Sequence, residues 1–157
     1  MKIRILMMGK TDKGYLDEAL AIYHKRLVHY AGLEVMVLPD LKPTKNMSPD
    51  VRRNQEGLLL LRQIAADDYV VLLDEKGEMH TSVSFAGFLQ QRMNAGIKCL
   101  VFVVGGAYGF SPEVYRRADY QLSLSSMTFS HQMVRLFFME QLYRGFTILR
   151  GEPYHNS

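Results

Sequence analysis

Short runs of consecutive apolar residues alternate along this chain with stretches in which apolar side chains recur every three or four positions. Lys2 to Met8, Leu33 to Leu38, Tyr69 to Leu73, Cys99 to Val104 and Tyr120 to Leu124 are apolar almost throughout, a pattern that predicts strands buried on both faces. Leu16, Leu20, Tyr23, Leu27 and Tyr30 share one face of a helix predicted from about Thr11 to Tyr30. Ser48-Pro49 sets a capping hydroxyl before a first-turn proline, and the helix it opens turns Val51, Leu58, Leu61 and Ile64 towards a core. Further helices are predicted from about Ser82 to Asn94, with Gly96 just past the end, from Ser111-Pro112 to about Ala118, and from Ser130 to Arg144. Pro39 stops the second strand, and the loop Asp40 to Met47, with two lysines and a proline, is the stretch expected to move. Asp74-Glu-Lys-Gly77 closes the third strand. Strand and helix alternate to the end, which predicts an α/β fold: a mainly parallel sheet with helices on both faces.

The last helix breaks the amphipathic pattern. Val134, Leu136, Phe137, Phe138, Met139 and Leu142 surround it, so it has no ordinary solvated side. Either it is buried within the monomer or its second side meets another subunit; with only 157 residues to cover it, a homodimer interface is favoured. The chain carries no internal repeat, and a single domain over residues 1–157 is expected, large enough to need no disulfide or metal staple. No apolar run approaches membrane-spanning length and no signal peptide is evident, so a cytoplasmic location is the default. Cys99 stands alone in an apolar strand and suits a small buried hydrophobe. His24, His29, His80, His131 and His155 show no metal-ligand spacing, so no metal is expected. The net charge of +3 is concentrated in residues 1–31, where six Lys/Arg face three Asp/Glu; it permits a polyanionic partner without requiring one.

Three pieces of the last third carry chemistry. Gly105-Gly106-Ala-Tyr-Gly109 follows a strand but lacks both the dinucleotide fingerprint and a phosphate-cradling Gly-Lys-Ser/Thr. What remains is a glycine-rich turn at a strand's carboxyl end, equally a tight turn or a ligand site. Leu122-Ser-Leu-Ser-Ser-Met-Thr-Phe129 has hydroxyls and peptide groups fit for an adenine edge, with Leu124, Met127 and Phe129 against the ring; equally, Ser130 caps the next helix and the hydroxyls satisfy the loop. His131 and Arg135 share a helix face, and Arg135, Arg144 and Arg150 could hold phosphates, although Arg135 could instead pair with Glu140 or with another subunit's carboxylate. The tail ends on Pro153-Tyr154-His155, an aromatic-imidazole pair where most chains fray.

Taken together, Val-Val-Gly-Gly-Ala-Tyr-Gly-Phe, Leu-Ser-Leu-Ser-Ser-Met-Thr-Phe-Ser-His-Gln-Met-Val-Arg, Glu-Gln-Leu-Tyr-Arg and the terminal Pro-Tyr-His resemble the SPOUT-class RNA methyltransferases, in their small RlmH type. The resemblance spans nearly the whole chain, with no departure at those motifs. It implies a C-terminal trefoil knot, which general topology rules would exclude, and an obligate homodimer packed through the last helix. It implies S-adenosyl-L-methionine as cofactor, bound by Leu73, Gly105, Gly106, Gly109, Leu124, Ser125, Ser126, Met127, Thr128 and Phe129. The implied substrate is N3 of the pseudouridine at position 1915 of 23S rRNA in the assembled ribosome. Arg144, Tyr154 and His155 would form the catalytic end, with His155 as base and Arg144 as its electrostatic partner; His131 and Arg135 would face the RNA. The competing expectations are a non-catalytic ribosome-binding protein of the same fold and a small nucleotide hydrolase, for which no Gly-x-Ser-x-Gly elbow is present.

Overall fold

A computed structural model describes residues 1–42 and 47–156. The middle of the loop expected to move, 43–46, lies outside the described residues. Five strands, β1 (Lys2–Met8), β2 (Gly32–Leu38), β3 (Tyr69–Met79), β4 (Cys99–Val104) and β5 (Tyr120–Ser123), form one all-parallel sheet in the order β2-β1-β4-β3-β5. The helices are α1 (Tyr15–Leu27), α2 (Pro49–Leu61), α3 (Ser82–Asn94), α4 (Pro112–Arg117) and α5 (His131–Leu149). None of the described helices is long and apolar enough to cross a membrane.

Alternation along each strand divides the apolar side chains between two cores. Ile3, Ile5, Met7, Val71, Leu73, Phe102 and Val104 pack beneath α1, α3 and α5. Leu6, Met8, Val70, Leu72, Val101 and Val103 pack beneath α2 and α4. Burial on both faces is why the strands read as continuous apolar runs. Helix α5 is pinned by Phe138, fully buried and 4.6 Å centroid to centroid from Phe102.

Several boundaries differ from the sequence expectation for identifiable reasons. Helix α1 begins at Tyr15, four residues late, because the preceding loop is tied to α5 instead: Gln132 Nε2 donates to the Lys10 carbonyl, and Gln132 Oε1 accepts from the Asp12 amide. Helix α5 runs past Arg144 to Leu149 through Gly145, where a Cβ would lie 3.0 Å from Leu89 Cδ1, so the glycine allows α3 close approach and does not end the helix. Strand β3 continues through Asp74–Gly77 and shifts register against β5 between Leu73 and Glu78. Such an irregularity re-aims a strand next to a loop. Cys99 opens β4 half-buried, with burial pushing its thiol pKa up.

Candidate functional site

All five strands run in the same direction, so the loops following β4 and β5 emerge on one edge of the sheet, where open α/β sheets bind ligands. They enclose, with the middle of β3, a cleft of about 510 Å³. Its walls include Leu73, Gly105, Gly106, Gly109, Leu124, Ser125, Met127, Thr128 and Phe129. Nine of the ten residues expected to hold a cofactor therefore meet in one place. Ser126 alone is not on the wall and is solvent-exposed.

Local chemistry builds each wall. The glycine loop folds back on itself as a Gly106–Gly109 bridge, and Gly109 sits at φ 79°, which a side chain would strain. At Gly106 a Cβ would lie 3.0 Å from both carboxylate oxygens of Glu56, so a side chain there collides with what lies behind the loop. The turn and the ligand wall are thus the same structure. In the second loop the hydroxyls serve the fold: Ser123 Oγ donates to the Ser125 carbonyl, Ser125 Oγ accepts from the Met127 amide, and Thr128 Oγ1 donates to Glu75. Ser130 caps α5 by accepting from the Met133 amide. Their side chains being engaged, the apolar Leu124 and Phe129 are what the loop presents to a planar ligand.

The sequence reading missed the acidic side of the cleft. Asp74, Glu75 and Lys76 line it, and Tyr115 donates its hydroxyl to Asp74. Burial and that hydrogen bond push the Tyr115 hydroxyl pKa upward. The signal lay in Asp74-Glu75 at the carboxyl end of an apolar strand, taken only as the strand's stop. Glu56 was missed as well. It is buried, its Oε1 has no hydrogen-bond partner among the described residues, and its Oε2 is 3.7 Å from Arg52 Nε. Burial raises its pKa, against the opposing pull of Arg52.

The expected phosphate fork does not form. Arg135 is fully buried, donating to the Met8 carbonyl at 2.8 Å and to Thr11 Oγ1 at 2.8 Å, with desolvation lowering its pKa. Its role here is to hold the loop after β1, and it presents nothing to RNA. Arg150 lies over Tyr30 at 4.4 Å, and Arg144 is engaged elsewhere. His131, the first residue of α5, lines the cleft.

Arg144, Tyr154 and His155 do come together. Arg144 Nη2 and Nε donate to Glu140 Oε1 at 2.6 and 3.1 Å, the Tyr154 hydroxyl donates to the same oxygen at 3.1 Å, and Tyr23 lies 3.2 Å from that hydroxyl. The Arg144 guanidinium stands 4.8 Å over the Tyr154 ring. Burial and then the bonds to Tyr23 and Glu140 push the Tyr154 pKa well up, so it stays a neutral donor. Arg144 Nη1 is 3.1 Å from His155 Nδ1. A guanidinium only donates, so Nδ1 accepts and the neutral imidazole carries its proton on Nε2. Held this way, His155 offers a donor, and the lone pair a base would use is occupied.

The tail cluster and the cleft lie at opposite ends of α5. His131 to Arg144 spans thirteen residues, about 20 Å at ~1.5 Å rise per residue. Within one protomer they cannot act on the same atom. The side of α5 between them carries Phe137, 40% exposed and 4.8 Å from Phe129.

Comparison with known proteins gives concordant results. The family profile described as "Predicted SPOUT methyltransferase" matches residues 1–155. The chain is 55% identical over 156 residues to "Ribosomal RNA large subunit methyltransferase H" of Christiangramia forsetii, covering 99% of each chain. It is 52% and 51% identical, over the whole of both chains, to proteins of the same name from Parabacteroides distasonis and Flavobacterium johnsoniae. Among solved structures, a probable methylase family protein from Haemophilus influenzae aligns with TM-score 0.57 at 13% identity, over 99% of this chain and 70% of that one. That likeness concerns the fold.

Proposed function

The chain belongs to the SPOUT methyltransferase family, and we propose from that premise that it transfers a methyl group from S-adenosyl-L-methionine to N3 of pseudouridine 1915 in the 23S rRNA of the assembled ribosome. The observation that carries the reading is the cleft of about 510 Å³ walled by the two loops, within the ~300–1,000 Å³ of small-molecule sites. The donor fits these residues by chemistry: Leu124 and Phe129 suit an apolar ring, and the Asp74 and Glu75 carboxylates suit hydroxyls and positive charge. Bound there, the donor would supply an electrophilic methyl on a sulfonium. The loops after β4 and β5, meeting beside β3, are where a C-terminal trefoil knot would thread.

Methyl transfer from a sulfonium is an in-line displacement, so the protein's share is chiefly positioning. The uracil-type imide must shed its N3 proton, to solvent while Arg144 holds His155 Nδ1, and the resulting negative charge spreads onto the flanking carbonyl oxygens. Arg144 and the Nε2–H of His155 are the groups that would stabilise it, with Tyr154 and Glu140 fixing the guanidinium. His155 could abstract the proton itself only once Arg144 leaves Nδ1. The 20 Å between tail and cleft supports a homodimer packed antiparallel through α5, in which the tail of one subunit closes over the cleft of its partner.

Incubation of labelled donor with ribosomes lacking the modification, followed by nucleoside mass spectrometry, should yield 3-methylpseudouridine; donor binding without incorporation would defeat the substrate assignment. Mixing an Arg144→Ala chain with a second chain disabled in the cleft should recover about a quarter of wild-type activity, since random pairing leaves one intact composite site in half the dimers. No recovery would show that each subunit works alone. A pH profile of His155→Ala that keeps its acidic limb would support the donor role over the base.

A further inference from the structure

One aromatic ring at the cleft lies outside the set of residues expected to hold the methyl donor. Tyr108 lines the cleft through the glycine loop yet is 47% exposed. Helix α2 grips it from two sides: Arg53 Nη1 donates to the Tyr108 carbonyl at 3.3 Å, and the Arg52 guanidinium stands 5.6 Å from the ring centroid. Both arginines are braced in turn, Arg53 by Asp50 and Arg52 through Nε by the buried Glu56 at 3.7 Å. Among the described residues, the two terminal nitrogens of Arg52 make no hydrogen bond, and its side chain keeps 28% of its surface. A ring fixed by its own main chain and backed by a guanidinium presents a π surface at little entropy cost. A free, planar guanidinium beside it matches a phosphate.

We propose that Tyr108, Arg52 and Arg53 form an RNA-binding lip on the cleft, on which an unpaired base next to the methylated nucleotide stacks against Tyr108 while its phosphate takes the free nitrogens of Arg52. This rests on the RNA methyl transfer proposed above and adds where the substrate strand is held. Unpaired RNA is the partner the chemistry selects, because splayed bases stack on aromatic rings and guanidinium planes. The lip also lies on the α2 face of the sheet, across from α5. It therefore stays open when α5 meets a second copy, and the target would be held between the lip and the partner subunit's tail.

The test is equilibrium binding of full-length protein to ribosomes lacking the modification, with donor affinity measured by calorimetry on the same preparations. Tyr108→Ala should raise the ribosome Kd about tenfold, Tyr108→Phe should stay within about twofold of wild type, and both should bind the donor within about twofold. Arg52→Ala should flatten the slope of log affinity against log salt by about 0.7, one phosphate contact on a single strand. Unchanged ribosome affinity in Tyr108→Ala with weakened donor binding would make the ring a wall of the donor cleft and overturn the proposal. Binding is read without turnover, so the two readings fail separately. Tyr108-dependent binding with no methyl transfer by the wild type would sink the reaction and keep the lip; normal transfer with Tyr108-independent binding would sink the lip alone.

Discussion

The two ends of α5 use opposite materials. At its N-terminal end the cleft is walled by glycine turns, apolar side chains and a loop in which the Ser123, Ser125 and Thr128 hydroxyls are already engaged. At its C-terminal end the cluster consists of side-chain charges and hydroxyls converging on Glu140 and Arg144. A site that must enfold a ligand of fixed shape is served by close backbone approach; a site that must answer developing charge needs preorganised donors. One helix carries both at a separation neither can cross, so the division of labour along α5 is also the argument for pairing two copies.

The largest effect should come from breaking the helix that both ends share. Phe138 is fully buried against Phe102 and Phe85, and Phe138→Ala should cost about 3–5 kcal/mol. Denaturant unfolding would measure it, and donor binding and turnover should fall together. If one region survived intact, α5 would not be their common support. Next comes Arg144→Ala, which should lower kcat by about 10²–10³ while leaving donor affinity within about twofold. Equal losses in donor affinity would mean that a tail already touches the donor in its cleft before any RNA arrives.

How much of this the sequence discloses depends on how local the cause is. Strand β4 and helix α3 have the residue bounds expected from their apolar patterns, and the caps at Ser48, Ser111 and Ser130 each accept from the amide three residues on. Those are decided within a few positions. The late start of α1 is decided by Gln132, more than a hundred residues away. Arg135 looked like half of an RNA-facing pair because i, i+4 spacing fixes which residues share a face but not whether that face is buried. The last helix was expected to end at Arg144, and Asp74-Glu75 to close a strand, for a similar reason: a close helix contact at Gly145 and a strand bending over a cleft are both tertiary. The residues around the cleft were legible because their motifs are dense in one region, whereas Glu56 and the arginines before it sit in an unremarkable polar helix start.

A gentler lever on the cleft is Gly106→Ala. The added Cβ would stand 3.0 Å from both oxygens of Glu56, which is buried and has little room to yield. The loop should shift outward and weaken donor binding about tenfold, within the cost of about 1–3 kcal/mol typical of overpacking. Calorimetry of donor binding reads this, and Glu56→Ala in the same chain should restore much of the loss if the collision is the cause. Donor binding that is indifferent to Gly106→Ala would remove the glycine loop from the donor's wall.

The smallest effect is the one that tells what Glu56 contributes. Burial holds its folded pKa above the ordinary value of 4.5, while Arg52 pulls the other way. A carboxyl with a raised folded pKa favours the folded state most fully below its unfolded pKa, and that contribution is lost as pH rises through the folded value. Glu56→Gln cannot ionise and escapes the loss. The difference in Tm, variant minus wild type, should therefore grow from pH 4.5 towards neutrality, at about 2–4 °C for each kcal/mol involved. Thermal melts across that range decide between two descriptions of the ground beneath the Tyr108 lip. A growing difference means that desolvation dominates and the carboxylate is kept there at a cost in stability, as at positions held for a site rather than for folding. A flat or shrinking difference means that the Arg52 contact wins and that Glu56 is an ordinary half of an ion pair.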